Sequence, residues 1–237
     1  MHGIKALTFD TGGTILDWHK GISTILAEAG ARHELERDWA TIANDYRAAS
    51  LKAMVNTGAG APATFNIDDV HRQQLAKMIE KHDLGAFTEV EREAIWYRWH
   101  QLDCWPDFPA ALAKMREKYI VASFTILSVS LIVDTAKRNG LSWDAVISCE
   151  MIGQYKILPG AYERAAKWLA LEPAEIMMVA CHNFDLNAAR DAGFKSGFVR
   201  RPDEWGAAGP PDPVPNSHHD IIANDFPDLA QQLGLGT

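Results

Sequence analysis

No run of apolar residues in this 237-residue chain approaches the roughly 20 that a membrane span needs. The opening MHGIKAL lacks the charged-then-apolar layout of a signal peptide. Cysteine is scarce. Cys104, Cys149 and Cys181 are odd in number, far apart and free of any C-x-x-C pair, which argues against a disulfide or zinc framework and for cytoplasmic thiols. Basic charge is in deficit as well, with 23 Lys plus Arg against 31 Asp plus Glu and a net charge of −8. That balance argues against a nucleic-acid or anionic-membrane surface. The composition, 47% hydrophobic and 23% charged, is that of an ordinary soluble globular protein. A chain of this length buries roughly 70–75% of its unfolded surface and needs no staple to fold.

Short apolar runs bounded by turn residues recur at 4–9, 119–125, 145–148, 176–180, 196–199 and 220–223. Helical stretches separate most of them: 131–139 stopped by Gly140, 159–171 opened by Pro159, and 186–192 stopped by Gly193. Buried strands alternating with helices predict an α/β fold with a doubly wound, parallel, Rossmann-like sheet. Between the first strand and Pro106 the pattern is helical only. Ile22, Ile25, Leu26 and Ala29, then Trp39, Ile42, Ala43 and Tyr46, keep the spacing of one helix face. This reads as a helical cap at 16–105 inserted into a core of 1–15 and 106–237, with a loop at 58–62. Residues 207–215 read as a surface loop, with His218 and His219 solvated beside it. His71, His82 and His100 read as helix-surface residues. Trp96, Trp99 and Trp105 read as packing for the cap or its hinge. Asp68, Asp69, Glu89, Glu91 and Glu93 fall in early helical turns, where the helix dipole favours acids.

In an open α/β sheet, ligands gather beyond the carboxyl ends of the strands. Asp10, Ser128, Lys156 and Asp185 all fall just after predicted strands or in the loops that follow them. Two carboxylates and an ammonium there suit covalent catalysis: one aspartate attacks, the lysine keeps it ionised, and the second carboxylate handles water. On spacing alone, a structural ion pair at the strand ends fits equally well.

The ordered elements Phe9-Asp10-x-x-Gly13-Thr14, Leu127-Ser128, Tyr155-Lys156 and Val179-Ala180-x-x-x-x-Asp185, with Ala188-Ala189 and Ala192-Gly193, resemble the haloacid dehalogenase superfamily across nearly the whole chain. Phosphatases of that superfamily carry a second aspartate two residues after the nucleophile and another early in the fourth motif. Gly12 and Cys181 stand in those places, which argues against phosphoryl transfer. The chain is similar instead to the type II 2-haloacid dehalogenases. Trp18, Arg47, Lys156 with the displaced Pro159 and Tyr162, and Arg201-Pro202 followed by Glu204-Trp205-Gly206 all resemble that branch.

The resemblance implies that Asp10 displaces halide from C2 of a small 2-haloacid and that Asp185 directs water onto the resulting ester. Lys156 would keep both carboxylates charged. Thr14 and Ser128 would hold Asp10, and amides near Thr11 and Val129 would receive the substrate carboxylate. Arg47 would cradle halide and substrate, its alternative being a surface arginine on a helix flank. Gly12, Tyr162, His182 and Asn183 complete the candidate substrate contacts. No metal or other cofactor is implied. Homodimerisation through the cap is implied by the resemblance alone.

Several positions depart from the branch. Gly12 replaces an aromatic wall and suggests a wider pocket. Val129 removes a side-chain donor. His182, in an Ala-x-His-Asn setting, either contacts substrate, shares in activating water, or ties its loop to backbone. Cys181 reads as packing. A small-molecule phosphatase and a non-catalytic binder of a small acid are the alternatives.

Overall fold

The computed structural model describes residues 3–56, 66–153, 155–158 and 160–236; the expected loop at 58–62, and the Pro159 expected to open a helix, lie outside them. Six strands form one sheet: β1 (Ala6–Phe9), β2 (Ile120–Thr125), β3 (Ala145–Ser148), β4 (Ile176–Ala180), β5 (Lys195–Val199) and β6 (Ile221–Ala223). Each lies within two residues of an apolar run in the sequence. Their order is β3-β2-β1-β4-β5-β6, and every pairing is parallel. β1 is central, with Ala6 beside Ile120 on one flank and Ile176 on the other. The chain winds outward from β1 through β2 and β3, then returns to add β4 on the opposite side. The crevice at that reversal, between the ends of β1 and β4, is where such sheets bind ligands.

Both faces are covered, as continuous apolar strands require. Leu7, Phe9, Met177 and Val179 point to one face, under α5 (Phe108–Arg116), α6 (Val129–Asn139) and α10 (Phe226–Gln232). Ala6, Met178 and Ala180 alternate to the other, against α8 (Ala161–Trp168) and α9 (Asn183–Asp191). A single helical turn, α7 (Cys149–Ile152), follows β3.

Between β1 and α5 stand four helices: α1 (Trp18–Arg32), α2 (Trp39–Asn56), α3 (Ile67–Lys81) and α4 (Glu89–Tyr97), the last running into a 3-10 turn at Arg98–Gln101. Local chemistry sets their ends. Asp17 caps α1 through the Lys20 amide, and Thr88 with Glu91 forms a reciprocal capping box at α4. Glu91 also takes Arg32 and His33 at 2.7 Å each, fastening α1 to α4. The apolar cluster of this block is continuous with that of one sheet face, from Leu7 and Phe9 through Trp18 and Ile22 to Ile42 and Tyr46. No helix among the described residues is long and apolar enough to cross a membrane.

Three histidines differ from their surface expectation. His71 is buried, its ring stacked 4.1 Å from that of Trp99, and burial with the nearby Arg47 holds it neutral, well below the usual histidine range. His100 is buried at the junction with α6, where Nδ1 lies 2.8 Å from Asp134 Oδ2. His219 is buried rather than solvated, stacked on Phe198 and bonded to Asn183. In each case tertiary packing covers a residue that its polar type alone would place outside.

Candidate active site

β1 delivers Asp10 to the crevice, where its amide extends the pairing with β4 by donating to Val179 O at 2.9 Å. The turn beyond it folds back as Ile15 and Leu16 both donate to Thr11 O. Gly13 sits at φ +96°, and a Cβ there would overlap the Glu204 carboxylate, so backbone and side-chain approach both require glycine. Thr11 turns its hydroxyl to Thr125, 2.6 Å away, and braces the turn against β2.

Asp10 is nearly enclosed, yet both of its oxygens are met. Lys156 Nζ lies 2.7 Å from Oδ1, and Thr14 Oγ1 donates to Oδ2 at 2.6 Å. Thr14 Oγ1 in turn accepts from the Cys181 amide. The ammonium also forms an ion pair with Asp185 Oδ2 at 2.6 Å and donates to Phe124 O at 3.2 Å. Burial works against charge at all three groups, and the pairing overrides it unevenly. Lys156 and His182 hold Asp10 well below the usual carboxylate range. Asp10 and Asp185 hold Lys156 above the usual lysine range. Asp185 is pushed up, because its own burial and repulsion from Asp10 outweigh the lysine. It sits in the first turn of α9, with Tyr162 Oη 2.5 Å from Oδ1.

A second chain of charges approaches Asp10 from the β4 and β5 loops. His182 Nδ1 lies 3.3 Å from Asp10 Oδ2, and Nε2 faces both oxygens of Glu204 at 3.1 and 3.2 Å. Burial opposes charge on the imidazole, but Cys181, Glu204 and Asp10 together raise it well above the ordinary histidine value. Glu204 is 1% exposed and takes Trp18 Nε1 at 3.2 Å. Burial pushes the Cys181 thiol up to about 11, so it stays protonated and packs rather than reacts.

Arg47, on α2, is 2% exposed and therefore not a surface residue. Its guanidinium carbon lies 5.6 Å from the ring centroids of both Trp18 and Trp99, and Nη2 donates to Gly12 O at 3.3 Å. Nε and Nη1 have no partner among the described residues. A Cβ on Gly12 would come 2.9 Å from Nη2. The space expected from losing an aromatic at position 12 is thus occupied by arginine.

Asp10, Gly12, Arg47, Lys156, His182 and Asp185 all line one cavity of about 410 Å³. Other candidates are turned elsewhere. Ser128 Oγ accepts from the Leu131 amide and pairs with Ser130, an N-cap of α6 rather than a donor to Asp10. The Val129 amide donates to Glu150 at 2.9 Å, so it is engaged by protein rather than turned to a substrate carboxylate. Asn183 ties down the 207–215 loop through Val214 O and the Asn216 amide. Tyr162 meets Asp185 from behind. These are corrections of direction: each residue sits in the expected loop or helix, but a protein partner, local at Ser128 and distant in sequence at the others, meets its polar group.

Glu204, Leu51, Met54, Ile126, Phe184 and Trp205 were not singled out as site residues by sequence reasoning. Glu204 follows the carboxyl end of β5, the very position that selected Asp10 and Asp185, and that rule could have found it. The loop at 207–215, expected merely at the surface, contributes Pro211 to the cavity wall.

Magnesium, which the phosphatases of the superfamily use, does not fit this donor set. It demands an octahedron of oxygens, whereas the Lys156 ammonium stands between the two carboxylates and a thiol stands at 181. Cys181 Sγ, His182 Nε2 and a Glu204 oxygen lie within 4.8 Å of one another, a set suited to a softer ion such as zinc, but the imidazole and carboxylate are already paired with each other.

A buried Asp–Lys–Asp cluster lies at the reversal of a parallel sheet, the place where such folds bind ligands, and helices inserted after the first strand complete the cavity. Residues 4–193 match the haloacid dehalogenase-like hydrolases, and the chain belongs to that family. It is similar to a solved defluorinating L-2-haloacid dehalogenase, at 36% identity and a TM-score of 0.90 over 98% of this chain and 95% of the other. A second solved L-2-haloacid dehalogenase is 32% identical, with a TM-score of 0.88, over 98% and 100%. The (S)-2-haloacid dehalogenase 4A of Burkholderia cepacia is 23% identical over 85% of each chain.

Proposed function

We propose that the protein hydrolyses the carbon–halogen bond of a small 2-haloalkanoic acid to give the 2-hydroxy acid, halide and a proton. The observation that carries this reading is an Asp10 carboxylate kept ionised by Lys156 and Thr14 inside a cavity lined also by Arg47, whose Nε and Nη1 have no partner among the described residues. An Asp10 oxygen attacks C2 from the side opposite the halogen, which departs with the bonding pair, and an aspartyl ester forms. Arg47 receives the substrate carboxylate or the departing halide. Water then adds to the ester carbonyl, the C–O bond to C2 stays with the product, and Asp10 regains an oxygen from water.

Asp185 aligns the attacking water, and His182 takes its proton. In the resting site His182 faces two carboxylates, Asp10 and Glu204. Alkylation cancels the Asp10 charge, so the imidazolium loses one of the groups that held its proton and gives that proton up to solvent, the proton counted among the products. Once neutral, it is a base oriented by Glu204. Residues 16–105 act as a cap on a core of 1–15 and 106–237, supplying Arg47 while the sheet supplies the charged cluster. Closure keeps bulk water from the ester.

The three relatives described above, each a 2-haloacid dehalogenase, support this reading. The phosphatase alternative loses ground because position 12 carries no second acid. Halide release from a panel of fluoro-, chloro- and bromoacetate and both 2-chloropropionate enantiomers, with EDTA present, tests the reading. Release is expected from one or more members and none from Asp10→Asn; no release from any member with wild-type protein removes it.

A further inference from the structure

We infer that the preferred 2-haloacid carries an extended apolar substituent on C2, of four or more carbons; this rests on the dehalogenase reading. The charged groups of the cavity gather at one end, where Asp10, Lys156, Asp185, His182 and Arg47 take up the reacting carbon and the carboxylate. Its remaining wall is chiefly hydrocarbon and aromatic, from Leu51, Met54, Ile126, Ile157, Phe184 and Trp205. At roughly 30 Å³ for a water-sized group, the six non-hydrogen atoms of 2-chloropropionate fill less than half of the 410 Å³. Cavities of this size ordinarily enclose far larger ligands.

Helix register gives the tail its direction. Arg47, Leu51 and Met54 stand at i, i+4 and i+7 on α2, one stripe of one face. A head group held at Arg47 therefore sends its substituent along that stripe, past about 10 Å of helix at 1.5 Å per residue. Phe184, 53% exposed and stacked on His182, stands where the cavity opens. Among the described residues a second carboxylate would meet chiefly apolar wall, with the exposed Lys52 at the rim. The occupant that matches this wall is an alkyl chain.

The test is a homologous series: racemic 2-chloropropionate, 2-chlorobutyrate, 2-chlorohexanoate and 2-chlorooctanoate, followed by chloride release. Each methylene drawn from water into the cavity is expected to raise kcat/KM by about fourfold up to the hexanoate. Leu51→Trp, which fills the stripe, is expected to bring the hexanoate-to-propionate ratio toward one. In parallel, calorimetry with unhalogenated hexanoate and propionate measures the cavity without the reaction, and hexanoate is expected to bind at least tenfold more tightly. A series that is flat or falling while the short acids turn over overturns the inference and leaves the dehalogenase reading standing. Preferential binding of hexanoate with no chloride from any member does the reverse. Equal binding of the two acids with no turnover removes both.

Discussion

His182 Nε2 lies 3.1 and 3.2 Å from the two carboxylate oxygens of Glu204, while the other nitrogen of the same ring faces Asp10. Glu204 thereby fixes both the orientation and the charge of an imidazole that touches Asp10. In the proposed cycle it is a positioning residue whose influence is felt after alkylation, when His182 must accept a proton from water.

Glu204→Gln keeps the shape of the side chain and removes its charge. Halide release in the first turnover is expected to continue while ester hydrolysis slows by about a hundredfold, the low end of what a positioned acid–base group contributes. Rapid-quench kinetics should then show a burst of halide, and mass spectrometry should find residue 10 carrying the carboxyalkyl ester. A variant that loses the burst along with steady-state turnover would place Glu204 in the first step instead. Rescue by Glu204→Asp would separate a charge effect from loss of packing.

Lys156 is the counter-charge to two buried carboxylates. Removing one partner of such a group leaves uncompensated charge, a loss on the order of 3–5 kcal/mol. For Lys156→Met this corresponds to a fall in Tm of about 10 °C at 2–4 °C per kcal/mol. The pH dependence carries a definite sign. In the wild type, Asp10 titrates below its unfolded value, so its contribution is present above about pH 4 and lost as pH falls. Without the ammonium its carboxyl is pushed up instead, and the variant should gain stability as pH drops from 8 toward 5. Thermal melts across that range check this; a variant that melts lower at pH 5 than at pH 8 would show that the cluster tolerates both charges.

Much of this arrangement is legible in the sequence, and the rest fails for identifiable reasons. The six strands are short, apolar and closed by turn residues, a signal that survives any tertiary context, and the loops that follow them fix where Asp10, Lys156 and Asp185 must lie. Side-chain direction is another matter. Ser128 and Asn183 occupy site loops, yet a helix cap claims one and the 207–215 loop claims the other. His71 and His100 read as surface residues because their burial depends on Trp99 and α6, elements that no local pattern connects to them. Glu204 belongs to no regular period and lies between β5 and a stretch rich in proline and glycine, so its position after the strand end and its place in the Arg201–Gly206 resemblance are its signals, and neither gives its direction. The apolar stripe of Leu51 and Met54 follows helical spacing from Arg47, but periodicity alone does not separate a cavity wall from core.

Gly12 is required by Arg47 rather than by backbone strain. A Cβ at this position would meet Nη2 at 2.9 Å, so any side chain displaces the guanidinium from the indoles of Trp18 and Trp99. Gly12→Phe, which restores the aromatic wall of the resembling branch, is therefore expected to lower kcat/KM tenfold or more, chiefly through KM, because the arginine contact to substrate is lost with its seat. Gly12→Phe combined with Arg47→Ala should cost little beyond Arg47→Ala alone, since the two changes act on one group. Additive losses in that double-mutant cycle would mean that Gly12 acts on the substrate directly.

His219 offers a pH effect outside the catalytic cluster. It is held at about 4, chiefly by burial and then by the charges of His218 and Arg190. Nε2 lies 2.9 Å from Asn183 Oδ1 and Nδ1 lies 3.3 Å from Ser196 Oγ, so the neutral ring is already satisfied at both nitrogens. The unfolded chain takes up a proton near pH 6.5 and the folded chain does so only near 4. Stability from this group is therefore full above pH 6.5 and declines as the pH falls between those values. His219→Gln, which retains a donor toward Asn183 but cannot titrate, should show a shallower loss of Tm over that interval while melting somewhat lower at pH 7.5, where the stacked ring on Phe198 is missing. Parallel slopes for the two proteins between pH 6.5 and 4 would mean that the ring is protonated as readily in the folded state as in the unfolded one.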